Sequence, residues 1–316
     1  MPRILFVKTS SLGDVIHNCP AVSDVARALP GAEIDWMVEE TFAGIPALHV
    51  RVRRVIPVAI RRWRAALWNP AAWSEMLAFR RALSAEHYDA VIDTQGLLKS
   101  ALLCSIASGT THGMERTSLR EPLAARFYDV RHPIPRGCHA VERNRQLAAA
   151  ALGYALGGEC DYGLRADGAL PIQVSAPFAV LLTMTSRAAK LWPDDRWAQL
   201  GRALRDRGIR SVLPWGSKRE RVRCERVAQR IPDSVVPRHL SLQELAGLIC
   251  GARGAAGVDT GVTHLCAALG IATVGIYCAS DPALTGLYGN ARARNLGGAG
   301  ASPTAASVLS ALEALL

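Results

Sequence analysis

With 316 residues, the chain is long enough for two domains that each bury a core. Half of it is hydrophobic (50%) and a fifth charged (20%), a globular composition, and apolar runs such as residues 178–184 are too short to span a bilayer, which excludes a helical membrane protein. The formal net charge of +10 calls for an anionic partner but does not choose among nucleic acid, an anionic membrane and an acidic substrate.

Met1-Pro2-Arg3 leads straight into an apolar run and then Lys8, without the core and cleavage site of a signal peptide, so a cytoplasmic protein is expected. Residues 3–8 (RILFVK) read as a buried strand and residues 14–29 as the helix after it. Residues 33–38 and 53–58 are strand-like. Arg51, Arg53, Arg54, Arg61, Arg62 and Arg64 fall in one stretch that contains no acidic residue. Residues 88–94 (YDAVIDT) form another strand, followed by a helix over about residues 97–107. A helical stretch at 139–155 and a linker at 161–171 close this array.

The pattern then restarts. Residues 178–183 are a new first strand, followed by a helix at 194–207, a strand at 209–214 and helices at 217–230 and 241–250. A strand at 254–258, a helix at 261–269 and a strand at 272–277 complete the second array. The fold class is therefore α/β, with two doubly wound Rossmann-like domains facing each other across a cleft. The expected domains are residues 1–165 and 172–302, with a C-terminal helix over 303–316 that packs on either of them. Ligands in such sheets bind beyond the carboxyl ends of the strands. The eight cysteines include no C-x-x-C pair and read as small buried hydrophobes.

Absent motifs narrow the chemistry. The first turn, Thr9-Ser10-Ser11-Leu12-Gly13-Asp14, has one glycine where a dinucleotide fingerprint needs three. There is no G-x-x-x-x-G-K-[ST] loop, no H-E-x-x-H and no G-x-S-x-G. No aromatic-plus-basic platform for nucleic acid is visible either.

Four segments carry groups suited to a site. Asp14, at the start of the first helix, reads either as a first-turn acid stabilised by the helix dipole or as a carboxylate placed to take a proton. Lys8, Ser10 and Ser11 beside it supply donors to hold an anion or to orient that base. Asp259-Thr260-Gly261-Val262-Thr263-His264 joins a strand to a helix start, either as an ordinary cap or as an anion site on backbone N–H groups. Thr185-Ser186-Arg187-Ala188-Ala189-Lys190 offers hydroxyls and two cations, so Lys190 is either a solvated loop lysine or the group that neutralises a diphosphate. Glu220, after Pro214-Trp215-Gly216, is either a surface acid or an acceptor for ribose hydroxyls.

Taken in order, KTSSLGDV, DTQGLLKS (Asp93–Ser100), KLWPDDRW (Lys190–Trp197), PWGS and DTGVTH resemble the ADP-heptose:lipopolysaccharide heptosyltransferases over almost the whole chain. IPVAIRRWR, HGMERTSLREPLA and HAVERNR resemble the type that acts first, on Kdo2-lipid A. The resemblance implies a GT-B fold and an inverting transfer of heptose that needs no cofactor and no divalent metal. It makes Asp14 the general base and Lys190 the group that stabilises departing ADP, with Thr185 and Ser186 alongside. Thr260 and Gly261 would bond the diphosphate, Asp259 and His264 would orient the heptose, and Glu220 would hold the ribose. Ser10, Arg61, Arg62, Arg64, Lys99 and Arg120 would meet the acidic acceptor. Trp63 and Trp68 would touch the cytoplasmic face of the inner membrane, where the protein is expected to bind peripherally. The competing readings are a later-acting heptosyltransferase on a heptosylated core and a non-catalytic nucleic-acid-binding protein.

Overall fold

The computed structural model describes residues 1–66, 68–168, 170–174 and 177–316. The chain divides into two compact units, Met1–Gly163 and Leu164–Leu316. Each is a doubly wound parallel α/β unit.

The first unit holds strands β1 (Arg3–Val7), β2 (Glu33–Glu39), β3 (Val52–Val58), β4 (His87–Asp93), β5 (Ser108–Met114) and β6 (Val130–His132). They pair in parallel in the order β3-β2-β1-β4-β5-β6. Its helices are α1 (Leu12–Ile16), α2 (Cys19–Ala28), α3 (Gly44–Ala47), α4 (Ile60–Ala65), α5 (Pro70–Ser84), α6 (Leu98–Cys104) and α7 (Ala140–Leu152). Central β1 is covered on both faces, so Ile4, Leu5, Phe6 and Val7 are all fully buried. Leu5 and Val7 share a core with Trp63, Leu83 and Leu103 of α4, α5 and α6, while α2 packs against α7. The single helix expected over 14–29 is two helices. Pro20 lacks an N–H and sits in the first turn of α2, where none is needed, so a new helix starts there. Strands β5 (SGTTHGM) and β6 (VRH) escape a hydrophobic-run reading because polar residues dominate them.

The second unit holds β7 (Phe178–Leu182), β8 (Arg210–Val212), β9 (Gly254–Val258), β10 (Ala272–Tyr277) and β11 (Ala293–Gly297), parallel, in the order β11-β10-β9-β7-β8. Helices α8 (Asp194–Asp206), α9 (Lys218–Ala228), α10 (Leu242–Cys250), α11 (Gly261–Ala268), α12 (Pro282–Thr285) and α13 (Ala305–Glu313) surround this sheet. Leu181, Val258 and Ile276 of the sheet share a core with Trp192, Trp197, Val308 and Leu312. Val308 and Leu312 come from α13, so of the two domains the C-terminal helix packs on the second and completes its core. Trp192 meets Trp197 edge-on at 4.8 Å, and its indole N–H donates to the carbonyl of Pro303 at 2.9 Å, tying the loop after β7 to the chain before α13. Among the described residues, no helix is long and apolar enough to cross a membrane.

Candidate active site

A doubly wound sheet opens a crevice at its carboxyl edge where consecutive crossovers leave in opposite directions, because the two loops there turn apart. In the first sheet that point lies between β1 and β4, and in the second between β7 and β9. The chemistry-bearing side chains gather at these two places.

After β1, the half-buried Asp14 is the third residue of α1. Its Oδ2 accepts from both the backbone N–H and the hydroxyl of Ser11, each at 2.8 Å, while Oδ1 accepts no hydrogen bond among the described residues. The side chain thus closes the first turn of its helix with one oxygen and keeps the other. The loop is held from β4. Gln95 Oε1 accepts from the N–H groups of Thr9 and Ser10 at 3.1 and 3.0 Å, and Lys99 Nζ donates to Ser10 Oγ at 2.8 Å. Gly96, at φ +67°, makes the turn after Gln95, and a Cβ there would strike Leu119 at 2.7 Å. Asp93 accepts from the N–H groups of Gln95 and Gly96 and from the Tyr128 hydroxyl, at 2.8, 3.0 and 2.7 Å. Burial pushes its carboxyl up, and these bonds work against that rise.

The structure bears on three expectations for this unit. Lys8 is buried and donates to the carbonyl of Thr94 at 2.7 Å, so it fastens the two loops together instead of offering a donor to an anion. Burial lowers its pKa accordingly. Arg62 is engaged by Glu40 at 3.0 Å and Glu75 at 2.7 Å. The basic stretch has no acid of its own, but the turn just after β2 and helix α5 deliver two. Trp63 is core, 7% exposed and edge-on to Phe79 at 5.5 Å, whereas Trp68 is 98% exposed. Arg61 lies over the Phe42 ring at 5.5 Å, and Arg64 and Arg120 are exposed.

In the second unit the loops after β7, β9 and β10 converge on Asp259. Lys190 Nζ stands 2.5 Å from Asp259 Oδ2. The Ser280 hydroxyl donates to the same oxygen at 2.5 Å, and His264 Nε2 is 3.8 Å from Oδ1. Thr185 Oγ1 donates to the carbonyl of Asp259 at 2.9 Å. Burial acts to raise the Asp259 carboxyl, but hydrogen bonds from His264, Lys190 and Ser280 outweigh it and hold the group well below the usual carboxylate range. Thr260 is the extended N-cap of α11 and Gly261 its first residue, so the unpaired N–H groups of that turn open at the same point. Ser186 is exposed. Glu220 stays apart from the cluster, its Oε2 accepting from the N–H of Gly216 at 2.7 Å.

Two contributors escape sequence reading. Ser280 follows β10 in an unremarkable CAS stretch, and only the sheet order brings it to Asp259. Arg223 is buried and donates to the carbonyls of Thr183 and Trp192 at 2.5 and 2.6 Å and to Asp194 at 2.8 Å. It braces both ends of the loop that carries Lys190. Among the described residues, no group of three or more His, Cys, Asp and Glu could hold a metal ion. The first site therefore offers a carboxylate with an uncommitted oxygen. The second offers a cation, hydroxyls and a helix N-terminus suited to an anion.

Known proteins resemble the chain in sequence and in fold. The model of glycosyltransferase family 9 (heptosyltransferase) matches residues 76–311. Lipopolysaccharide heptosyltransferase 1 of Pseudomonas aeruginosa is 47% identical over 292 residues, 92% of this chain and 82% of that protein. The protein of the same name from Escherichia coli K12 is 46% identical over 290 residues, 91% of each chain. Among solved structures, E. coli heptosyltransferase WaaC with ADP superposes with a TM-score of 0.91 at 42% identity, covering 99% of this chain and 100% of that one. WaaC with ADP-2-deoxy-2-fluoro heptose gives 0.89 over the same shares. With the family model matching residues 76–311 and near-half identity along nine-tenths of the sequence, the chain belongs to glycosyltransferase family 9, the heptosyltransferases.

Proposed function

We propose that the chain transfers L-glycero-D-manno-heptose from ADP-heptose to a Kdo hydroxyl of Kdo2-lipid A, in a single inverting displacement without a divalent metal. The first unit takes the acceptor and the second the donor. Asp14 receives the proton of the attacking hydroxyl on Oδ1 while Ser11 keeps Oδ2 and hence the side chain in place. The hydroxyl oxygen bonds to the anomeric carbon, and the bond from that carbon to the ADP oxygen breaks with its electron pair. Lys190 and the N–H groups at the start of α11 offset the charge that develops on the diphosphate. Thr185 and Ser186 assist there, Asp259 and His264 orient the heptose, and Glu220 accepts from ribose. Ser10, Lys99, Arg61, Arg64 and Arg120 receive the acidic acceptor, with Arg62 contributing less because two glutamates already hold it. Work on a lipid-anchored acceptor brings the protein to the cytoplasmic face of the inner membrane.

The observation that carries this reading is the half-committed Asp14 carboxylate at the switch point of the first sheet. The test is a transfer assay with ADP-heptose, offering Kdo2-lipid A and a heptosylated core as rival acceptors, with EDTA present. Transfer to Kdo2-lipid A is expected, lowered at least ~100-fold in Asp14→Asn. Full activity of that variant, abolition by EDTA, or preference for the heptosylated acceptor would each remove part of the proposal.

A further inference from the structure

The first unit carries an apolar groove of about 300 Å³ between α4, α5 and α6. Met76 and Phe79 of α5 line it together with Leu102 of α6 and Ile106 just beyond. Its charged lining residues are Arg64 and Lys99, both cations, with no acid among them. Leu102 is 46% exposed although it belongs to this apolar wall. Walls of carbon offer nothing to a sugar, which binds through hydrogen bonds, and the two cations suit an anionic head on an apolar body. The groove also adjoins the site, since Lys99 both lines it and bonds Ser10 in the loop that leads to Asp14.

We infer that this groove receives one acyl chain of the lipid-anchored acceptor, with Arg64 and Lys99 meeting anionic groups at the head of that chain. This rests on the acceptor reading above. The acyl chain then acts as a handle that brings the Kdo end to the loop carrying Asp14. A concave site of this kind grips a single chain, whereas a bilayer surface would engage projecting groups such as Trp68 and Trp73.

The experiment uses the full chain and a series of Kdo-bearing glucosamine acceptors, from fully deacylated through short to long acyl chains, each below its micelle concentration. KM is expected to fall stepwise with chain length and then level off. Leu102→Asp should raise KM for the longest-chain acceptor about 10-fold or more, with KM for the deacylated acceptor and for ADP-heptose unchanged. Leu102→Ser is the milder companion, and thermal melting verifies the fold of both. Binding of dodecyl phosphate, measured by calorimetry, provides a readout independent of turnover and should weaken about 10-fold in Leu102→Asp. A wild-type KM indifferent to chain length overturns the inference, as does an equal KM rise for acylated and deacylated acceptors. Loss of anionic-vesicle binding with the chain-length dependence intact would assign the face to the bilayer instead. If no acceptor is turned over, the functional proposal fails, while dodecyl phosphate binding still decides the groove.

Discussion

Replacing Lys190 by Met separates the ion pair that the structure shows from the catalytic role proposed for the same ammonium group. Its Nζ lies 2.5 Å from Asp259 Oδ2, with the two side chains 22% and 9% exposed. Breaking a fully buried pair by removing one partner costs about 3–5 kcal/mol, and an exposed pair about 0–1 kcal/mol. This pair is intermediate, and Ser280 still donates to the carboxylate after the change. A loss of about 1–2 kcal/mol is expected, which lowers Tm by about 2–8 °C at 2–4 °C per kcal/mol. If Lys190 also neutralises the departing diphosphate, kcat falls about 100-fold or more, equivalent to about 2.7 kcal/mol. Adding Asp259→Asn removes the orphaned charge, so the double variant should regain part of the lost Tm without regaining kcat. Differential scanning calorimetry and steady-state kinetics on the four proteins complete the cycle. Recovery of kcat in the double variant to within about threefold of Asp259→Asn alone would show that Lys190 serves only to hold Asp259.

The depressed Asp259 carboxyl sets an acid-stability signature. Its folded-state pKa lies below the unfolded value of about 3.9, so the stabilisation is present above that value and is lost as pH falls through the folded one. Denaturant titrations at decreasing pH below about 4 should show a shallower loss in Asp259→Asn than in the wild type, and equal slopes would refute this. Gln95→Leu removes the acceptor of two loop N–H groups and should cost about 1–3 kcal/mol, with kcat reduced and KM for ADP-heptose unchanged, whereas Gln95→Glu should restore most of both. In the basic stretch, Arg61→Ala with Arg64→Ala should raise acceptor KM more than Arg62→Ala alone, because Glu40 and Glu75 already hold Arg62. An equal rise in KM for both substrates would place the arginines outside the acceptor site.

The alternation of apolar strands and amphipathic helices was legible because central parallel strands are buried on both faces and read as unbroken apolar runs, as in Ile4–Val7 and Phe178–Leu182. Edge strands lack that constraint. β6 and β11 lie at sheet edges, and neither VRH nor ARNLG has two large apolar residues in succession, so no run marks them. The arginine stretch misled for a different reason. Charge within the stretch says nothing about acids that the fold supplies from outside it, and Glu40 and Glu75 reach Arg62 from before and after the stretch. Lys8 was misjudged because the buried Thr94 carbonyl that captures it belongs to another strand's loop.

The residues that gather at the switch points were legible for a topological reason. At a switch point each loop comes directly from a central strand, so residues within a few positions of the strand end are brought together by sheet order alone. Ser10 with Gln95 and Lys190 with Asp259 are pairs of this kind, far apart in sequence yet each joined by neighbouring strands. Ser280 obeys the same rule one strand further out, after β10, and recognising it required the order β10-β9-β7 rather than any motif. The physical consequence is that Asp259 answers to three loops at once. Ser280→Ala should therefore act on both acid stability and turnover, though less than Lys190→Met, because it takes a neutral donor from the carboxylate and leaves the charge on Lys190 in place. A Ser280→Ala protein as impaired as Lys190→Met in both measurements would mean that loop position, and not the cation, governs this site.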